Sequence, residues 1–259
     1  MPRLPNGIHV PNATFQAIFE QRKRAFAPAF LPSSLSNLGL WLRADSNITL
    51  NVSDVSGWGD KSGNAVDFSQ PTATYQPAYS ASGGPNSQPC VQFNAPDLTF
   101  MSSVATSLYS LSTGYTFFIV LKVATGGSDG LAVDTDTDSF GIQQFSGNFL
   151  ARYNGIGYSQ APQTGTTWKY YSVKFDGGGA TNADKMKTWI NGVAQTLTFD
   201  VSAPASLNAS ARWYLGRYSG GLGGFNLTGD IAEIIAYTDE KSDADRQLVE
   251  AYLASRYSL

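Results

Sequence analysis

Asn191-Gly192 stands between two β-prone runs in the segment MKTWINGVAQTLTF, residues 186–199. Both central positions of a type I′ turn need positive φ, which Asn and Gly tolerate, so the dipeptide predicts a hairpin there. Ser146-Gly147-Asn148 predicts a second tight turn, joining FGIQQF to FLARYN. Other short apolar or aromatic runs lie between turns: LGLWLRA from Leu38, YTFFIVLKVA from Tyr115, WKYYSVKFD from Trp168 and DIAEIIAYT from Asp230. In the first of these, Leu38, Leu40 and Leu42 fall on one face and Trp41 on the other, the period of two that a strand imposes. A chain punctuated this often by turns builds sheets, not long helices.

Composition agrees. Charged residues make up 14% of the 259 residues, against roughly 25% in ordinary soluble domains. Apolar residues reach 42%, with 26 glycines and 13% aromatics, so Ser, Thr, Asn, Gln and Gly cover the surface. All-β sandwiches routinely reach this length as one domain. The fold class expected is all-β, a two-sheet antiparallel jelly-roll sandwich with an N-terminal helical arm and a C-terminal helix.

Two segments depart from the β pattern. SDADRQLVEAYLASRY reads as a helix capped by Ser242, with Asp243 and Asp245 near the positive end of its dipole and Leu248, Tyr252 and Tyr257 toward the sandwich. Residues 1–35 form the other. Asn12 can cap a helix that places Phe15, Ile18, Phe19, Arg22 and Phe26 on one stripe, and Pro28 and Pro32 end it. That stripe either packs on its own domain or anchors the chain in a partner. The domains expected are therefore an arm over 1–35 and a sandwich over 36–259.

The bulk properties narrow function. A net charge of −3 leaves no electrostatic footprint for nucleic acid, and Arg22, Lys23 and Arg24 read as a solvated face. Cys90 is the single cysteine, so no internal disulfide forms, and its setting between Pro89 and Val91 reads as a buried strand. No run approaches the eighteen or so apolar residues of a membrane span, and the opening residues lack the pattern of a secretory signal. The five Asn-x-Ser/Thr triplets are what this composition produces by itself.

Three stretches together resemble the concanavalin A-like lectin/glucanase superfamily, in the laminin-G-like branch found in bacterial surface and phage structural proteins. LWLRADS with VSGWGDKSGN is similar to that branch's opening strand and its turn at Trp58, Asp60, Ser62, Gly63 and Asn64. VKFDGGG with TWINGV is similar to its strand, loop and hairpin, and LGRYSGG with FNLTGDIAEIIAYTDEKSDADRQLVEAYLASRY to its closing strand and terminal helix. The resemblance covers residues 38–259. It departs at Asn94-Ala95-Pro96-Asp97, where the branch shows a D-G-x-x-D-type loop. Trp58 reads as a plug beneath a turn that Asp60 and Asn64 close by bonding backbone amides.

A shared superfold does not carry a shared function. The superfamily's glucanases use E-x-D-x-x-E on one strand, and the nearest match here is Asp230-Ile-Ala-Glu233 with Thr228 in the place of the nucleophile. His9, the single histidine, sits on the arm, which leaves the sandwich without Ser-His-Asp or Cys-His catalysis. The chain is expected not to be an enzyme and to need no cofactor. The only metal candidate is calcium at Asp134, Asp136 and Asp138, which alternate as in the start of a calcium loop but lack the Gly and Glu that complete one. A solvated β-turn is the competing reading.

What remains is binding. Tyr153, Asn154, Tyr158, Trp168, Trp213 and Tyr218 lie beside turns or Gly-rich loops and are the glycan-binding candidates, with core or rim packing as their alternative role. The arm, the low charge and the missing catalytic set fit a virion structural protein, a phage capsid decoration or a tail or fibre appendage. Its arm would dock on other virion proteins, its copies would form a homo-oligomer, and its lectin-like domain would face host surface glycans. The alternative expectation is a secreted or surface carbohydrate-binding module of a bacterium, with a glycoside hydrolase ranking below both.

Overall fold

The computed structural model describes residues 30–124, 130–136, 139–154, 157–162, 166–219 and 225–259. The chain divides into two units, Met1–Leu31 and Pro32–Leu259, of which the second is described below. The stripe of Phe15, Ile18, Phe19, Arg22 and Phe26 lies outside the described residues, as do His9, Asp138 and 220–224.

In chain order the first strands are β1 (Leu38–Arg43), β2 (Ile48–Asn51), β3 (Asp54–Trp58), β4 (Phe68–Ser69), β5 (Ala78–Ser80), β6 (Cys90–Phe93) and β7 (Met101–Ser103). Next come β8 (Gly114–Val123), β9 (Gly130–Thr135), β10 (Phe140–Phe145), β11 (Asn148–Tyr153), β12 (Gly157–Pro162) and β13 (Lys169–Asp176). After α1 (Asn182–Lys185), a single turn, follow β14 (Met186–Ile190), β15 (Val193–Ala194), β16 (Thr198–Phe199), β17 (Trp213–Leu215), β18 (Gly229–Tyr237) and the helix α2 (Asp243–Tyr257).

Every ladder among them is antiparallel. One layer runs β15-β14-β13-β8-β18-β1, with β6 and then β5 beside the first residues of β18. The other runs β16-β12-β11-β10-β9-β17-β7-β4. Strand β3 pairs with β2, β4 and β5 and so joins the two along an edge. This is the expected jelly-roll sandwich with its C-terminal helix.

The turns follow their residues. Asn191 and Gly192 take φ of 47° and 75° between β14 and β15, and Ser146 and Gly147 take 45° and 77° between β10 and β11. Asp60 closes the turn after β3 by accepting from the amides of Trp41 and Ser62. Asn64, expected to bond an amide, instead donates to the carbonyls of Leu38 and Gly39, since its Nδ2 is the group that reaches them. Trp58 is fully buried beneath it. Cys90 is buried in β6, and burial pushes its thiol up to about 12, which keeps it an unreactive core residue.

The core is aromatic. Tyr109 stacks on Tyr115 at 4.5 Å, and Phe140 meets Tyr115 edge-on at 5.0 Å. Phe149 of β11 lies flat on Tyr171 of β13, with ring centroids 4.4 Å apart and planes 5° from parallel, so the pair spans both layers. Strand β8 alternates cleanly, with Tyr115, Phe117, Ile119, Leu121 and Val123 in this core.

Helix α2 covers the outer side of the first layer. Ser242 caps it by accepting from the Asp245 amide at 3.1 Å. The buried stripe is Arg246, Val249, Glu250, Leu253 and Tyr257, whereas Leu248, expected inward, is 46% exposed. The inward stripe carries charges: Arg246 bonds Glu250 and lies 4.0 Å from the centre of the Trp189 ring, and Glu250 accepts from Ser172. Of the three residues expected inward, Tyr252 and Tyr257 do reach Glu233 on β18, and Leu248 alone faces out. Two substitutions test these contacts by chemical denaturation. Phe149→Ala should lower the unfolding free energy by about 3–5 kcal/mol. Leu248→Ala should change it by no more than about 0.5 kcal/mol.

Candidate functional site

With α2 over the first layer, the outer side of the second layer is the other sheet face among the described residues, with Leu150 and Gln143 2% and 5% exposed and Phe145 41%. Its residues follow from the pleat. Phe149, Ala151 and Tyr153 of β11 point into the core, so Leu150 and Arg152 point out. Register then sets Tyr158 of β12 and Gly141 of β10 on either side of Arg152, and Gln160 and Gln143 on either side of Leu150. Gln143, Phe145, Leu150, Arg152, Tyr158 and Phe225 line a depression of about 160 Å³.

Its rim comes from residues flanking the β17–β18 connection. Gly216 has φ of +83°, and a Cβ there would stand 2.3 Å from Phe93 Cδ1, so only glycine fits. Its carbonyl accepts from the Leu227 amide at 2.9 Å, which draws the two ends of the connection together. Tyr218 and Phe225 meet edge-on at 6.4 Å, and the Arg152 guanidinium lies 5.9 Å from the Tyr218 ring centre. Phe145 and Phe225 are 41% and 44% exposed, an apolar surface beside one guanidinium and one amide. That mixture suits a ligand with an apolar face and polar edges.

The six glycan candidates separate. Tyr158 and Tyr218 reach this site. Tyr153 and Trp213 do not: both are buried, Tyr153 donating to the carbonyls of Tyr158 and Val201 and Trp213 to that of Leu108. Their alternation with Phe149 and Leu215 is that of inward residues. Asn154 ties strand ends together, donating to Ser206 O and accepting from the Asn208 amide. Trp168 borders the opposite layer, where Lys122 lies 5.4 Å from its ring centre. Gln143, Leu150, Arg152 and Phe225 were not singled out from sequence, although the same period of two marks the first three as outward.

Two of the calcium candidates are engaged with the backbone. Asp134 accepts from the Ser219 amide, and Asp136 from those of Ala211 and Arg212, which pin β17 to β9. Among the described residues no group of three or more His, Cys, Asp or Glu gathers where a metal ion could be held. Asp134 is thus a buried residue of β9 and not part of a solvated turn, and Asp138 lies outside the described residues.

The glucanase-like carboxylates sit on β18. A register shift between Ile231 and Glu233 turns Asp230 and Glu233 to the same outer side despite their odd spacing. There Asp230 pairs with Lys122 at 2.5 Å. Glu233 is buried under α2 and accepts from Trp41 Nε1, Tyr252 OH and Tyr257 OH at 2.6, 2.9 and 2.8 Å.

No family model matches the chain, and no curated protein sequence matches it. Solved structures do. The binding domain of botulinum neurotoxin DC in complex with SialylT aligns with a TM-score of 0.55 and 12% identity over 84% of this chain and 51% of that one. A structure of botulinum neurotoxin type C, whose cell entry is dependent upon interaction with two ganglioside molecules, gives 0.53 and 12% over 84% and 51%. Trypanosoma rangeli sialidase in complex with the inhibitor DANA gives 0.54 and 11% over 92% and 37%. The chain therefore spans about half the length of the neurotoxin structures and little over a third of the sialidase. At these identities the likeness is one of fold: a lectin-like jelly-roll β-sandwich.

Burial pushes the Glu233 carboxyl above its ordinary value against the pull of its three donors. A folded value above the unfolded one, about 4.3, means that its contribution is complete below that pH and is lost as pH rises through the folded value. The melting temperature of the native chain should thus fall relative to that of Glu233→Gln as the pH rises above the unfolded value of about 4.3. Parallel curves would contradict this assignment.

Proposed function

We propose that the sandwich is a glycan-binding domain of a non-enzymatic virion protein, with the Arg152–Tyr158 depression as its sugar site. The observation that carries this reading is the composition of that site. Exposed Phe145 and Phe225 and the Tyr158 ring offer apolar contact to the C–H face of a pyranose, and the Arg152 guanidinium lines the same depression and is a donor to its hydroxyls. The sialyl and ganglioside complexes of the similar structures support the same class of ligand.

The placing of the carboxylates supports binding without hydrolysis. Glu233 is closed under α2 and Asp230 is held by Lys122, so neither stands beside the sugar site, and Thr228 replaces the nucleophile. The virion role rests on the amphipathic stripe of the arm, with Phe15, Phe19 and Phe26 docking in a capsid or tail partner and Arg22 at its border. Copies carried side by side on a particle would gain avidity from weak individual sites.

A glycan array probed with the full chain tests the site. Arg152→Ala should weaken the best ligand by about tenfold or more, the cost of one hydrogen bond to a charged group, and Tyr158→Ala should weaken it as well. Retention of full binding by both variants would remove the assignment. Serine at Phe15, Phe19 and Phe26 should abolish incorporation into particles while leaving the melting temperature unchanged. Normal incorporation would exclude the anchor.

A further inference from the structure

A second and larger concavity lies away from the Arg152–Tyr158 depression. It measures about 490 Å³, within the range of small-ligand sites, and is formed where β3, β5 and β6 meet the Asn94–Thr99 turn and the short 3-10 helix Ala73–Tyr75. Asp54, Thr74, Gln76, Gln92, Asn94 and Asp97 supply its polar lining. No Lys or Arg lines it.

Several of these side chains are fixed from behind. Gln76 donates to Gln70 O at 2.7 Å and accepts from Asn51 at 3.0 Å. Gln92 directs its amide nitrogen to Asp230 at 3.4 Å, and Asn94 directs its own to Asp97 Oδ2. Each of these two amides keeps a second N–H and its oxygen, alongside the Thr74 hydroxyl and the Asp97 and Asp54 carboxylates. The cleft thus offers both acceptors and donors. An anion would meet two carboxylates and, among the described lining residues, no Lys or Arg, so charge disfavours it. A ligand that both donates and accepts several hydrogen bonds satisfies the lining, as a neutral polyhydroxylated ring does. Immediately along the chain, Tyr75 and Phe100 stand with rings 6.0 Å apart, extending aromatic surface beside the cleft.

We infer that this cleft is a second sugar-binding site, specific for uncharged pyranosides and independent of the first. The departure at Asn94-Ala95-Pro96-Asp97 is then the segment that builds it.

Amide chemical-shift mapping on the full chain tests the inference, with methyl α- and β-glycosides of glucose, galactose and mannose as probes and calcium chloride as a separate arm. At least one glycoside should shift the amides of residues 92–99 and 54 saturably. Asp97→Asn and, independently, Asp54→Asn should weaken that response about tenfold, the loss of a hydrogen bond to a charged acceptor. Shifts confined to residues 143–158 would overturn the second site and leave the first standing. Absence of shifts in residues 92–99 with every glycoside would overturn it too. Saturable shifts there with calcium alone would make the cleft a cation site and overturn the sugar assignment.

Discussion

A buried carboxylate decides which side of this sandwich faces outward. Glu233 gathers an indole N–H from β1 and two phenolic hydroxyls from α2 around one point on β18, with Arg256 3.7 Å away. Taking a carboxylate out of water is costly unless donors replace the lost hydration, and three do so here. The arrangement holds α2 against one layer, and the Arg152–Tyr158 depression lies on the outer side of the other. Both the Arg152–Tyr158 depression and its aromatic rim depend on that asymmetry.

The same residue shows how a sequence pattern can keep its spacing while its setting changes. Asp230-Ile-Ala-Glu233 resembles the end of a glucanase strand, and the bulge before Glu233 does turn both carboxylates to one side. That side lies beneath a helix, where Glu233 is shut away from solvent and Asp230 is matched by Lys122.

Much of the fold was legible because its signals are local. Asn191-Gly192, Ser146-Gly147 and the Ser242 cap depend on neighbours within a few residues, and each stands in the structure as the sequence implied. The site was less legible because it depends on which of two faces each strand presents. Tyr153 and Tyr158 look alike beside their turns, yet the phase set by Phe149 and Ala151 sends the first into the core while register places the second beside Arg152. The charged part of α2's inward face was missed for a related reason, since Arg246 and Glu250 neutralise each other across one turn and can be buried together. The polar cleft beside Asn94 gave no signal at all, because its lining comes from β3, β5, β6 and two turns that only tertiary pairing unites.

The hydrogen bond between Leu227 N and Gly216 O separates two kinds of inheritance in the molecule. Strands β17 and β18 on either side must keep their register, because they carry Trp213, Leu215 and Ile231 of the core. Beyond Ser219, whose amide Asp134 holds, chain length added to the stretch between two clamped residues costs little. A lineage could therefore exchange that stretch and acquire a new rim for the binding face while the sandwich beneath stayed as it was. Recognition could change at the pace of a loop, and the scaffold at the pace of a core.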